Sequence, residues 1–307
     1  MCSVAVTRYA TATAATDERV ARRAGADGTR GAEPLVAAAL RRSGIRGAVA
    51  TIATDFPSGA GLGGSSACGV ALAGALAALA DEPLDLGALA ARSRATEADD
   101  LGIVGGFQDH YAAAYGGALL LTFGDCVGVE ALSMSERTAA DLTRRAVLLY
   151  TGESRLSGNI VAAVLDAYVR GDRETSAALA RMKSLAVEMA AALRADDLDA
   201  LGTLVGEHWV HQRRLHESIT TPRIDAIVRA ATGAGALGVK ALGASGGGCV
   251  VAIARDGRED ELARALEPLG ERLEFDVDHA GFQIVATIDE RHDEHDAEPR
   301  EGSSPAS

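Results

Sequence analysis

The sequence predicts an α+β fold of two lobes separated by a cleft. Three observations carry this expectation: strand-like segments lie at both ends of the chain, a long helical middle separates them, and each end holds a glycine-rich loop. The 307 residues suffice for one large domain or two smaller ones with a sizeable core.

Taken in order, Ser3–Ala14 is rich in β-branched residues and partly alternates, so it reads as a strand. A loop of Arg, Gly and Asp over 17–32 leads to a helix from Pro34 to Arg42 and a strand from Ala48 to Thr54. The glycine-rich run Asp55–Ser66 follows, and after it a helix without a single charge reaches Ala80. A helix uncharged all round has to be buried on most sides. Helical spacing continues over 86–98 and 107–115, and Ala118–Thr122 and Ala146–Tyr150 read as strands. Apolar positions three and four apart predict helices near 157–170, 174–194 and 197–215, and Thr221-Pro222 marks the start of another. A strand Val239–Leu242, the second loop Gly243–Gly248, a strand Cys249–Ala254, a helix over 258–269 and short strands Leu273–Val277 and Phe282–Ile288 complete the order. From Asp289 charged and small residues take over, which predicts a disordered acidic tail over 289–307.

Composition excludes several classes of function. Acidic residues outnumber basic ones 43 to 30, giving net charge −13, and no basic run is present. Nucleic-acid binding needs clustered cations, so none is expected. The longest apolar run, Val70–Ala80, falls well short of the roughly 20 residues a bilayer span requires, so no membrane partner is expected. Four separated cysteines with no C-x-x-C pair and no signal-peptide pattern predict a cytoplasmic protein. The histidines form no set with a carboxylate at matched spacing, so zinc is not expected. Only Lys183 and Lys240 among 30 basic residues are lysine, which singles both out.

The first glycine-rich loop carries the chemistry. Gly59, Gly61, Gly63 and Gly64 leave backbone N–H groups open to close approach, and the helix beginning near Ser65 adds its unpaired N–H groups and positive dipole end. Phosphate is the natural occupant. Ser65 and Ser66 can cap that helix, and a hydroxyl there can also reach a metal ion between phosphates. The spacing matches neither G-x-G-x-x-G nor G-x-x-x-x-G-K-[ST]. A plain glycine-rich turn into a buried helix is the competing reading. Glu97 and Asp109 could supply the two carboxylates of a phosphotransferase, one holding Mg²⁺ and one orienting the attacking hydroxyl. Alternatively Asp109 merely complements a helix N-terminus and Glu97 is a solvated helix residue.

Pro57-Ser-Gly-Ala-Gly-Leu-Gly-Gly-Ser-Ser-Ala67 resembles the nucleotide-phosphate loop of the GHMP kinases, P-x-G-x-G-L-G-S-S-A, with Gly64 at the first serine position and Ser65 at the second. Gly105–Gly117 is similar to the G-x-Q-D-Q-Y-A-A-x-x-G-G segment of the sugar-phosphorylating branch, which includes the heptose-7-phosphate kinases and fucokinase-like enzymes. Phe107 stands where those heptose-phosphate kinases often have Lys, and His110 replaces Gln. Gly243–Gly248 resembles the third motif, G-A-G-G-G-G, with Ser245 for one Gly, and Lys240 matches a Lys in G-G-K-L-L-G-A-G-G-G-G.

The resemblance implies an ATP-binding, ribosomal-S5-like lobe over 1–142 and a ferredoxin-like lobe over 143–288. It assigns ATP to Pro57, Gly59, Gly61, Leu62, Gly63, Gly64, Ser65 and Ser66 and to Gly243, Ser245, Gly246 and Gly247, and it assigns Mg²⁺ to Ser65 and Glu97. Asp109 and Lys240 are the implied catalytic residues, and Gln108, Arg155 and Thr151 the implied sugar contacts. The expected partner is a small sugar or sugar phosphate, with heptose 7-phosphate phosphorylated at its anomeric hydroxyl as the leading substrate. Another anomeric sugar kinase, or a nucleotide-binding protein without transferase activity, are the alternatives. Relatives of this branch carry an R-I-[SD]-F-A-G-G-G-T-D-like segment ahead of the point where Met1 falls, so the expectation is a start codon assigned too far downstream, with a natively short, impaired enzyme as the alternative.

Overall fold

A computed structural model of the chain describes residues 1–16, 33–153 and 158–286. The opening strand is two short ones, β1 (Cys2–Val4) and β2 (Ala10–Ala15), which go to different sheets. Helix α1 (Glu33–Ser43) leads to β3 (Val49–Thr54), which pairs antiparallel with β2 from Ala10 opposite Thr54 to Ala15 opposite Val49. Helix α2 (Gly64–Leu79) follows the first glycine loop and buries Val70, Leu72, Leu76 and Ala77, as a helix without charge must.

Helix α3 (Leu86–Ala95), capped by Asp85, runs into a single π-helical turn at Thr96–Asp100, and α4 (Gln108–Tyr115) follows. Strands β4 (Ala118–Phe123) and β5 (Val127–Leu132) form a hairpin that completes a sheet of order β1-β4-β5. Neither β5 nor the next helix, α5 (Glu136–Arg145), is in the sequence expectation. α5 has a clear start, since the Ser135 hydroxyl accepts from the Thr138 N–H, and it turns Ala139 and Leu142 inward.

Strand β6 (Ala146–Tyr150) opens the second half, followed by α6 (Gly158–Val169), α7 (Arg173–Arg194), α8 (Leu198–Gln212) and α9 (Pro222–Gly233). Strands β7 (Ala236–Ala241) and β8 (Cys249–Ala254) flank the second glycine loop, and α10 (Glu259–Leu266) precedes a two-residue β9 (Glu271–Arg272). The resulting sheet runs β7-β8-β6-β9. Its core joins Leu149, Val239 and Val250 to Trp209, Ile224, Ile227 and Leu262 from the covering helices. α8 lies unusually close on β7, because a Cβ at Gly238 would sit 1.9 Å from the Gly202 carbonyl oxygen.

The C-terminal strands are corrected. Leu273–Val277 makes one bridge, Val277 to Val6, and no strand forms over 282–286. The Phe282 ring packs on α2 instead, where a Cβ at Gly74 would lie 2.1 Å from it. The tail 289–307 lies outside the described residues.

Candidate active site

The two glycine loops are far apart in sequence and cross in space. The Cys249 N–H donates to the Ala60 carbonyl at 2.7 Å, and a Cβ on Gly61 would stand 3.1 Å from the Leu242 carbonyl oxygen. Bare backbone is therefore a packing requirement at the crossing as well as an opening for a ligand. The second loop is braced from three sides: Gly246 N–H to Ile219 at 2.9 Å, Gly248 N–H to Glu153 at 2.7 Å, and Gln212 Nε2 to the Gly243 carbonyl at 3.1 Å. Ser245 sits within it at φ +75°, a conformation that costs a non-glycine residue about 1–2 kcal/mol.

The first loop ends at Gly63, which occupies the N-cap position of α2 at φ +72°. No side chain caps this helix, contrary to the expectation for Ser65 and Ser66. Ser65 Oγ donates to Glu97 Oε1, and Ser66 Oγ lies 3.4 Å from His110 Nε2, so both hydroxyls are drawn toward a carboxylate–histidine pair. The N–H groups of the first turn, with the positive end of the α2 dipole, are left for an anion.

Glu97 is 7% exposed in the π-helical turn, which excludes the reading as a solvated residue. Burial works to raise its carboxyl, but hydrogen bonds from His110 and Ser65, with the nearby His110 and Arg94, outweigh this and hold it below the ordinary value. It is therefore ionised and accepts on both oxygens, His110 Nε2 lying 3.1 Å from Oε2.

Asp109 stands in the first turn of α4 against Gly63, where a Cβ would come within 3.0 Å of its own Cβ. Burial raises its carboxyl above the usual range and the Glu97 charge adds to this, while His110 and Lys240 pull the other way. Lys240 is half-buried on β7, and burial lowers its ammonium to about 8 against the pull of Asp109. Beneath it, burial, then Lys240 and His211, hold His208 down to about 3, so this imidazole is neutral at any ordinary pH.

These groups share one cleft. Gly59, Gly63, Ser65, Glu97, Asp109 and Lys240 all line it, as do the rest of the first loop, Gln108, Gly243, Ser245 and Gly247. At about 3140 Å³ it is open and much larger than the 300–1,000 Å³ of a typical ligand pocket. Thr151, expected at the sugar, is absent from its lining: it is 2% exposed, and its hydroxyl donates to the Gly248 carbonyl at 2.8 Å. Gly246, assigned to ATP by the resemblance, is also absent from the lining, its N–H being taken up by the Ile219 carbonyl. Arg155 lies outside the described residues. Phe107 is exposed at the rim beside Phe123, with the Arg94 guanidinium 5.0 Å from its ring centre.

Among the described residues no group of three or more His, Cys, Asp or Glu is arranged to hold a metal ion. The Ser65 hydroxyl and Glu97 carboxylate are nonetheless hard oxygen donors already in contact. That pair fits Mg²⁺, which takes one or two protein oxygens and completes its shell with phosphates and water. Sequence reasoning missed what fixes this pair. His110 stood out only as a departure beside Asp109, and Ser93, its other partner at 2.8 Å, carried no signal at all.

Comparison with known proteins follows the same lines. Residues 32–117 match the model for the GHMP kinases N terminal domain and residues 189–270 that for GHMP kinases C terminal, together more than half of the chain. The D-glycero-alpha-D-manno-heptose 7-phosphate kinase of Campylobacter jejuni is 32% identical over 218 residues, covering 69% of this chain and 63% of that one. The chain thus spans less than two thirds of that relative's length. The mevalonate kinase of Pyrococcus abyssi is 31% identical over 244 residues, covering 78% of this chain and 68% of that one. The crystal structure of a D-glycero-D-manno-heptose 1-phosphate kinase from Bacteroides thetaiotaomicron superposes with a TM-score of 0.70 at 24% identity, covering 93% of this chain and 90% of that one, a likeness of fold. No helix among the described residues is long and apolar enough to cross a membrane.

Proposed function

The chain belongs to the GHMP kinase family, and from that premise we propose that it transfers the γ-phosphoryl group of ATP to the anomeric hydroxyl of a sugar phosphate, heptose 7-phosphate first among candidates. The observation that supports this most is the convergence on one cleft of an uncapped helix start, the Ser65–Glu97 pair, Asp109 and Lys240. On this reading the ATP lobe covers 1–142 and the second lobe 143–288. The cytoplasm, where ATP is abundant, is the implied compartment.

The first-turn N–H groups of α2 and the bare backbone of Gly59–Gly64 hold the phosphate chain. Ser65 and Glu97 would hold Mg²⁺, which when bound neutralises charge on the bridging phosphates. Asp109 has the raised affinity for a proton that a base needs: it accepts hydrogen from the attacking hydroxyl as oxygen bonds to phosphorus and the bond to the β-phosphate oxygen breaks. The proton then leaves from Asp109 to solvent. Lys240, on the far wall, meets the charge spreading over the transferred group. With His208 neutral, Lys240 carries the charge of that pair, and Arg8 and Lys183 also line the cleft.

ADP release measured across a panel of sugars and sugar phosphates tests the proposal. Turnover is expected with sugar phosphates above free sugars, and Asp109→Asn is expected to lower kcat by about 10²-fold or more with nucleotide binding kept. Nucleotide binding without turnover on any member of the panel would contradict transferase activity.

A further inference from the structure

The histidine that follows Asp109 faces away from the cleft. Neighbouring residues of a helix point about 100° apart, so while Asp109 meets Gly63 at the cleft, His110 turns into the interior and is fully buried. Its ring ties three elements together. Nδ1 lies 2.8 Å from Ser93 Oγ on α3, and Nε2 lies 3.1 Å from Glu97 Oε2 in the π-helical turn and 3.4 Å from Ser66 Oγ on α2. With a carboxylate oxygen 3.1 Å away as acceptor, Nε2 is the ring nitrogen that carries the hydrogen between them. Room for the Ser93 hydroxyl comes from Gly69 of α2, where a Cβ would fall 2.2 Å from that oxygen.

We propose that His110 is a positioning residue for Glu97, fixing one carboxylate oxygen so that the other is presented together with the Ser65 hydroxyl to a divalent cation. This rests on the reading of Ser65 and Glu97 as the metal-holding pair. The terminal torsion of a glutamate is broad, so a carboxylate held at one oxygen can still tilt. Here Oε1 takes the Ser65 hydroxyl while Oε2 takes the His110 Nε2–H, and two donors from different elements set its plane. Ser93 in turn sets the plane of the ring. The departure at position 110 therefore concerns how the metal-holding carboxylate is oriented, rather than which sugar enters.

The test compares His110→Ala, His110→Gln, Ser93→Ala and Glu97→Gln, alone and with His110→Ala added to Glu97→Gln. Two readouts are taken: the Mg²⁺ concentration for half-maximal turnover, and Mn²⁺ binding in the presence of ADP by electron paramagnetic resonance, which needs no turnover. Loss of an orienting partner typically costs 10–100-fold in metal affinity. His110→Ala is expected to weaken both readouts by about tenfold or more, leaving the KM for the sugar phosphate unchanged. His110→Gln, which keeps an N–H donor, is expected to recover most of that loss, and Ser93→Ala to cost less than His110→Ala. In the Glu97→Gln background, His110→Ala should add nothing. Unchanged metal dependence in His110→Ala beside a shifted Glu97→Gln would overturn the proposal alone. Unchanged metal dependence in Glu97→Gln would overturn the assignment of Glu97 and the proposal with it.

Discussion

Among single residues, the proposed chemistry turns on two groups that burial pushes from their ordinary proton affinities. Asp109 is raised and Lys240 lowered to about 8, each partly restored by the other. The sign of the pH dependence follows. Asp109 accepts a proton only when ionised, so activity is lost as pH falls through its raised value. Lys240 carries its charge below about 8, so activity is lost again as pH climbs past that point. The profile of kcat/KM, which reports the free enzyme, is therefore expected to be a bell with a basic limb near pH 8. Lys240→Arg keeps a cation that does not titrate, so the basic limb should vanish in that variant. A basic limb unmoved by Lys240→Arg would assign it to another group. Much of the candidate site is legible in the sequence: the glycine spacing and the resemblance single out Ser65, Glu97 and Asp109, and all three line one cleft, while their roles belong to the proposed function. What was not legible is burial. No pattern around Glu97 distinguishes a solvated helix residue from one held under two donors, and His110 and Ser93 meet only because α3 and α4 pack side by side.

At the scale of elements, the site is built where backbone needs to come close. Gly63 ends the first loop in the left-handed region and stands directly against Asp109. Gly63→Ala adds a Cβ into that contact and forces about 1–2 kcal/mol of backbone strain. The expected outcome is a modest fall in Tm and a loss of kcat well beyond what the remaining folded fraction explains, measured on the same sample. A variant that loses stability yet keeps wild-type kcat per folded molecule would show that the Gly63–Asp109 contact does not matter to catalysis. Long helices and the glycine loops were readable because periodicity and missing side chains are local signals. The failures were equally physical. Ser3–Ala14 was read as one strand, whereas β1 and β2 part company between Val4 and Ala10 to join different sheets, a choice made by partners distant in sequence. Phe282 looks like a strand residue by propensity, but its ring is taken up by the groove over Gly74.

At the scale of the whole molecule, net charge −13 sets a constraint on any anionic substrate. Long-range attraction cannot gather the proposed substrates, ATP and a sugar phosphate, on such a surface, so the favourable field has to be local. The α2 start and Lys240 line the same cleft, as do Arg8 and Lys183, and the two glycine loops cross where the Cys249 N–H donates to the Ala60 carbonyl. The candidate site draws on both ends of the chain: Glu97 lies in the π-helical turn, Asp109 on α4 and Lys240 on β7. On the proposed function, this shared cleft moves a phosphoryl group to an anomeric oxygen. ³¹P nuclear magnetic resonance of a reaction containing ATP, Mg²⁺ and heptose 7-phosphate tests it most directly. The expected spectrum shows ADP together with a new phosphate-ester resonance split by the anomeric proton, with the original 7-phosphate signal retained. ATP left intact, or ADP appearing with inorganic phosphate alone, would contradict it.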